Sequence, residues 1–360
     1  VSQRDILVEE TAMVRVREST RAGAAVGLVL LGLMCGPAAG RDVKLAIRPQ
    51  KISAEAGKYS LLPPPASLRD GDAVPLYEKA VKALPDKKND DQVQQYLKMP
   101  IEQLPADQVE QVLQAYVESL KSVAQAVRCR DCKWPAQELT GVMSNLSEYR
   151  RVAYAVRLWV RSEIAQENYE GALLAMQIGF GMSRHLVQAP TLVQFLVGQA
   201  VAAMMSTEVG AFLEAGEAPS LYAALAVLPK PFADVEKAID RENKSLPSEP
   251  PAGEVARQLF ENALKLKAQS YRKMRASAKH LDRDLTVWQC LEAIRLYAGA
   301  HSGRLPQTLT DIKEITVPKD PVTGEAFRYT CTGATAVLES PAAPGGEEKD
   351  AVRCEITIKN

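Results

Sequence analysis

"PTLVQFLVGQAVAAMMSTEVGAFLEA", residues 190–215, decides how the rest of the chain is read. From Leu192 to Met205 it is apolar nearly all round. That pattern marks either a helix at the centre of a bundle or a membrane span. Gln194 and Gln199 interrupt the run and Glu208 ends it, so a buried central helix is the expectation. Pro190 falls where a first-turn proline is tolerated. The segments before it, "ELTGVMSNLSEYRRVAYAVRLWVRSEIAQEN" and "YEGALLAMQIGFGMSRHLVQ", are also helical in pattern. Further upstream, "ADQVEQVLQAYVESLKSVAQAV" places Val109, Val112, Leu113, Tyr116, Leu120, Val123 and Val127 on one apolar stripe. Residues 73–245 are therefore expected to form a helical bundle.

The stretch "ENYEGALLAMQIGFGMSRHL" has the small-residue and aromatic rhythm of a tetratricopeptide-like hairpin. No second copy follows at the repeat period, so the pattern predicts a generic helical hairpin. "LPKPF" and "LPSEPPAGE" bracket a short helix near 233–244, and the second of these is the best internal linker. Beyond it, Phe260, Leu264, Lys267, Tyr271, Met274, Ala278 and Leu281 form a heptad seam with one lysine. Its outer face carries Lys265, Arg272, Lys273, Arg275 and Lys279. Residues 246–283 read as a linker and an amphipathic helix. A second amphipathic helix, 284–301, is stopped by Gly303.

At the other end, Arg15, Arg17 and Arg21 precede "AAVGLVLLGLM" and then "CGPAAG". This charged, apolar, small-residue order is that of a secretory signal peptide. Residues 1–40 are expected to be that segment, starting at Met13 and cut before Arg41. A lipid-anchored form at Cys35 and an uncleaved anchor are the alternatives. Residues 41–72, with Pro63, Pro64 and Pro65, read as an extended arm. Export puts Cys129, Cys132, Cys290, Cys331 and Cys354 in an oxidising compartment, where disulfides form.

The C-terminal part reads differently. "AIRLYAGAHSGRLP" ends a helix, "QTLTDIK" makes a short helix from Pro306, and "VPKDPVTGEAFRY", residues 317–329, turns into a strand. Pro318 and Pro321 hold their neighbours extended, and Gly324 permits the turn. "AFRYTC", "ATAVLES" and "AVRCEITIK" alternate as half-buried strands. These 70 or so residues resemble the globular region of type II secretion pseudopilins and related type IV pilin-like proteins. The fold class expected is mainly α, a helical-hairpin bundle followed by a small α+β module over 284–360. Its sheet is expected to be a three-stranded antiparallel meander. The resemblance also implies an apolar assembly helix directly after a leader, a place taken here by the helical region. Some members hold calcium in a late loop. The corresponding loop here offers Glu347, Glu348 and Asp350 without a defined ligand spacing. If the first and third strands are neighbours, Cys331 and Cys354 can form a disulfide.

Chemistry is sparse in the sequence. Charge balances at 44 basic against 44 acidic residues, which gives no reason to expect nucleic acid. Aromatics, at 6%, leave few stacking platforms. No G-x-S-x-G, H-E-x-x-H, P-loop or Rossmann glycine pattern is present. Ser270 and Lys273 form an isolated S-x-x-K. Cys129 and Cys132 form C-x-x-C between helices, which reads as a loop disulfide, with a redox pair or half a zinc site as alternatives. His185 and His301 have no spaced partner. No catalytic residue, metal or cofactor is expected. The reading is an exported, non-enzymatic scaffold or binding protein of the cell envelope, periplasmic or extracellular. Its partner is expected to be another envelope protein, with peripheral membrane contact through the basic helix 264–283. The alternatives are a pseudopilin-like secretion subunit and an envelope enzyme, a thiol redox protein or hydrolase, without a local motif.

Overall fold

The computed structural model describes residues 41–51, 57–135, 139–244 and 253–359, the side chains of 41, 139–145, 254–256, 259, 260 and 263 excepted. The signal segment, Met13, Cys35 and the linker 246–252 lie outside the described residues. Ten helices are described: α1 (Val74–Lys82), α2 (Lys88–Leu97), α3 (Ala106–Ala115), α4 (Val117–Ala126), α5 (Leu139–Ala165), α6 (Tyr169–Val187), α7 (Leu192–Glu214), α8 (Tyr222–Ala226), α9 (Val235–Lys244) and α10 (Glu254–Ala300). The chain is mostly helical, with a small sheet towards its C-terminus.

Helices α5, α6 and α7 follow one another through tight turns. Asn168 opens α6 by accepting from the Gly171 amide, and Thr191 opens α7 by accepting from the Gln194 amide. Each cap satisfies a helix-start N–H that has no partner within its helix. Helix α7 is the one described helix long and apolar enough to cross a membrane, and most of it is buried inside the protein. Phe195, Val201, Ala202, Met205, Val209 and Phe212 are fully enclosed. Its late charge, Glu208, is also fully buried and receives Arg157 at 2.6 Å and Arg161 at 3.4 Å from α5. The C-terminal half of α10 crosses α7 closely. Trp288 Nε1 donates to Ser206 Oγ at 2.9 Å. Gly210 makes room for the indole, since a Cβ there would lie 2.6 Å from Trp288.

Two expectations are corrected at the level of elements. The stripe over 106–127 is two helices, because the chain bends at Tyr116, which adopts φ −95°, ψ 0°. The Tyr116 ring is buried and its hydroxyl donates to Asp90 at 2.6 Å, so a tertiary contact fixes the bend. The two amphipathic helices read at 246–283 and 284–301 are one 47-residue helix, α10. The boundary at 283/284 falls inside it.

The sheet is mixed rather than a three-stranded antiparallel meander. It holds β1 (Arg41–Ile47), β4 (Arg328–Thr332), β5 (Thr335–Ser340) and β6 (Val352–Ile358) in the order β1-β6-β5-β4. The added strand, β1, runs parallel to β6 from Arg41↔Val352 to Ile47↔Ile358. Residues 41–72 are therefore not simply an extended arm. Their last residues, β2 (Arg69–Asp72), pair in parallel with β3 (Cys129–Asp131) in a two-stranded sheet.

Strand β5 lies between β4 and β6. Cys331 is opposite Ala336, and Cys354 is opposite Leu338. Two strand spacings, about 9.5 Å, therefore separate the cysteines' strands. A disulfide requires Cα atoms within about 4.4–6.8 Å. The Cys331–Cys354 pairing is thus excluded by strand order, and the structure forms no disulfide at Cys129, Cys132, Cys290, Cys331 or Cys354.

Candidate functional site

The sequence-marked residues gather in one place that the sequence did not show. Cys129 and Cys132 stand on and just after β3, next to Asp72 at the end of β2. Asp72 accepts the amides of Val74 and Lys133 at 3.1 and 2.9 Å, which ties the first turn of α1 to the segment after the cysteines. Trp134 follows and donates from Nε1 to the carbonyl of His185 at 2.8 Å. It stacks on Tyr77, with ring centroids 5.5 Å apart, and Tyr149 meets both rings edge-on. Tyr77 Oη and His185 Nδ1 lie 2.9 Å apart. His185 therefore has partners from α1 and from the loop after β3. Nothing local in the sequence signals this, because they lie 108 and 51 residues away.

The electrostatics of this cluster oppose thiol catalysis. Burial, with repulsion from Arg184, lowers the His185 pKa to about 4, so its imidazole is neutral near pH 7. Burial and then the Asp72 carboxylate push the Cys129 thiol up, and the same causes push Cys132 well above the ordinary thiol range. A nucleophilic thiolate needs a nearby cation or helix N-terminus; here Arg69 pulls the Cys129 thiol down but burial and Asp72 outweigh it, and Cys132 is raised by burial, Asp72 and Cys129. In the reduced full chain, alkylation of Cys132 by iodoacetamide should accordingly be slow at pH 7–8, its rate still rising above the pH at which a free thiol has levelled off. A rate profile levelling near pH 7 would overturn this assignment.

The remaining groups are engaged elsewhere in the fold. Among the described residues, no three His, Cys, Asp or Glu side chains converge as metal ligands. In the loop compared with a calcium site, Asp350 accepts from the Glu347 amide and Glu347 pairs with Lys349 at 2.8 Å. Ser270 donates back to the Leu266 carbonyl of its own helix. His301 stacks on Tyr297, and His280 accepts from the Ala343 amide at 3.0 Å.

Two surface features stand apart. The first is the N-terminal part of α10. From Arg257 to Leu266 every described side chain is exposed, a length of about 15 Å at 1.5 Å rise per residue. The heptad seam is buried only from Tyr271 onward, while Leu264 remains 47% and Leu266 50% exposed. Between residues 257 and 279 the helix carries seven basic residues against one acidic. Arg275 is held by Glu236 at 2.6 Å. The second is a groove of about 420 Å³ between the start of α6, the ends of α5 and α7, the turn at 100–102 and the end of the sheet at Lys359.

Comparison with protein-family models, with curated proteins and with solved structures returns no match for this chain.

Proposed function

We propose that this protein is an exported, non-enzymatic scaffold or binding protein of the cell envelope that engages an acidic partner protein through the exposed part of α10. The observation carrying this reading is the helix itself. Its apolar seam continues past the body of the protein into Leu264, with Lys265, Lys267, Arg272 and Lys273 around it. A short helix without tertiary packing is marginal in water, and exposed leucines there gain stability when covered. Like charge disfavours side-by-side pairing with a second copy, whereas an acidic surface complements it. A pseudopilin-like subunit of a secretion apparatus is the second reading. The long helix leading through a loop into a small sheet favours it.

A photo-reactive residue placed at Leu266 in the full chain, within the native envelope, tests the first reading. The expected result is a discrete protein adduct that disappears in Lys265→Glu/Lys273→Glu, with the thermal midpoint of that variant unchanged. An adduct to lipid alone would assign the helix to the membrane surface, and no adduct at all would remove the α10 docking surface; either outcome refutes the reading.

A further inference from the structure

The loop between β5 and β6, residues 341–350, is tied to α10 in two chemically different ways. Its ends are tied by Arg283, which is buried and donates from Nη1 to the carbonyls of Pro341 and Asp350 at 3.3 and 2.6 Å. A guanidinium keeps its protons throughout the physiological range, so these ties do not titrate. The middle is tied by His280, also buried, whose Nε2 accepts from the Ala343 amide at 3.0 Å. Two glycines bring the loop this close. A Cβ on Gly346 would lie 2.7 Å from His280 Cε1, and one on Gly345, at φ +87°, would meet the Arg272 carbonyl at 3.5 Å. The loop carries Glu347, Glu348 and Asp350. The charged form of Glu347 is favoured first by Lys349 and further by Lys273 of α10.

The two kinds of tie respond differently to acid. An imidazole accepts at Nε2 only while that nitrogen lacks a proton. Protonation turns Nε2 into a donor facing the Ala343 N–H, so closure and protonation exclude each other. The charged groups around the ring are Arg283 and Asp284 on α10 and Asp350 on the loop. Burial lowers the His280 pKa first and Arg283 lowers it further, against the pull of Asp350 and Asp284. The neutral ring is therefore the form that the closed loop holds. We infer that residues 342–349 are a pH-operated flap on α10, latched by neutral His280 and released by its protonation, with Arg283 holding both ends. By linkage the latch is fully engaged above the ordinary histidine value of about 6.5 and is lost as pH falls below it. Release takes Glu347 away from Lys273, a residue of the α10 docking surface. That consequence rests on the function proposed for α10, whereas the flap itself does not.

Hydrogen exchange of the full chain, with no partner present, tests the latch apart from the docking reading. The peptide carrying Ala343 and Gly346 is followed from about pH 7.5 to about pH 4.5, its rate divided at each pH by the intrinsic exchange rate. Its protection should fall by about fivefold or more, as expected for one proton taken up on opening. Peptides from α7 and β6 should keep theirs, which separates flap opening from unfolding. His280→Gln offers an amide oxygen that accepts at every pH in this range, so its loop should stay protected throughout. Constant protection of the unmodified loop over the whole range would overturn the inference. So would a loss of equal size and midpoint in His280→Gln, which would assign the opening to the carboxylates of the loop.

Discussion

Val201→Asp should abolish or nearly abolish cooperative folding. Val201 is fully enclosed in the middle of α7, and α7 packs against α5, α6 and α10. The substitution loses about 1.5–3 kcal/mol of apolar burial. It also takes a carboxylate out of water into the core, at a further cost of several kcal/mol. Domains are stable by only about 5–15 kcal/mol, so the sum is comparable with the whole. Urea unfolding followed by circular dichroism reads the effect. Val201→Ala is the companion variant: it makes a cavity without a charge and should cost about 2 kcal/mol. The contrast matters because α7 has the composition of a membrane span. If α7 faced lipid or solvent, the alanine variant would be silent, and an unchanged midpoint in the aspartate variant would refute the central-helix assignment.

The central helix was legible because its apolar run and the flanking periodic segments all point to one bundle. Other features were hidden for identifiable reasons. Read from the sequence, the long helix divides at 283/284. Arg283 is in fact buried, paired with Asp284 at 2.9 Å, and donates to the carbonyls of Pro341 and Asp350. Those acceptors come from a loop far along the chain, so no local pattern reports them. No glycine or proline lies between Glu254 and Ala298 to stop the helix. Strand β1 was read as an arm because its partner, β6, follows about 300 residues later. Alternation along a strand shows which residues share a face, but it is silent on neighbour order. The inferred Cys331–Cys354 contact failed on that point.

Arg295→Met should strongly destabilise the protein, through charge rather than volume. Arg295 and Glu292 are both fully buried on α10 and lie 3.4 Å apart. Arg295 also donates to the carbonyls of Arg48 at 2.9 Å and Ala218 at 2.6 Å. It thereby joins three things: the helix, the segment leaving β1, and the turn before α8. The segment after β1 is held at the same level, since the Gln50 amide donates to the Arg295 carbonyl, and Gly299 leaves no room for a side chain against Gln50. Removing the guanidinium leaves Glu292 buried with only the Ser220 hydroxyl and the Leu221 amide as donors. Breaking one partner of a buried pair costs about 3–5 kcal/mol, and here two carbonyls also lose their donor. Burial already raises the Glu292 pKa against the pull of Arg295. Without Arg295 it must rise further, so the native state of the variant binds a proton that the unfolded chain does not. The penalty should then shrink as pH falls towards the ordinary carboxylate range and grow as pH rises. Glu292→Gln/Arg295→Met removes both charges and should be destabilised by less than the sum of the single variants. Urea unfolding of the four proteins between pH 5 and 8 measures this. Additive losses with no pH dependence in Arg295→Met would show that the pair contributes only packing.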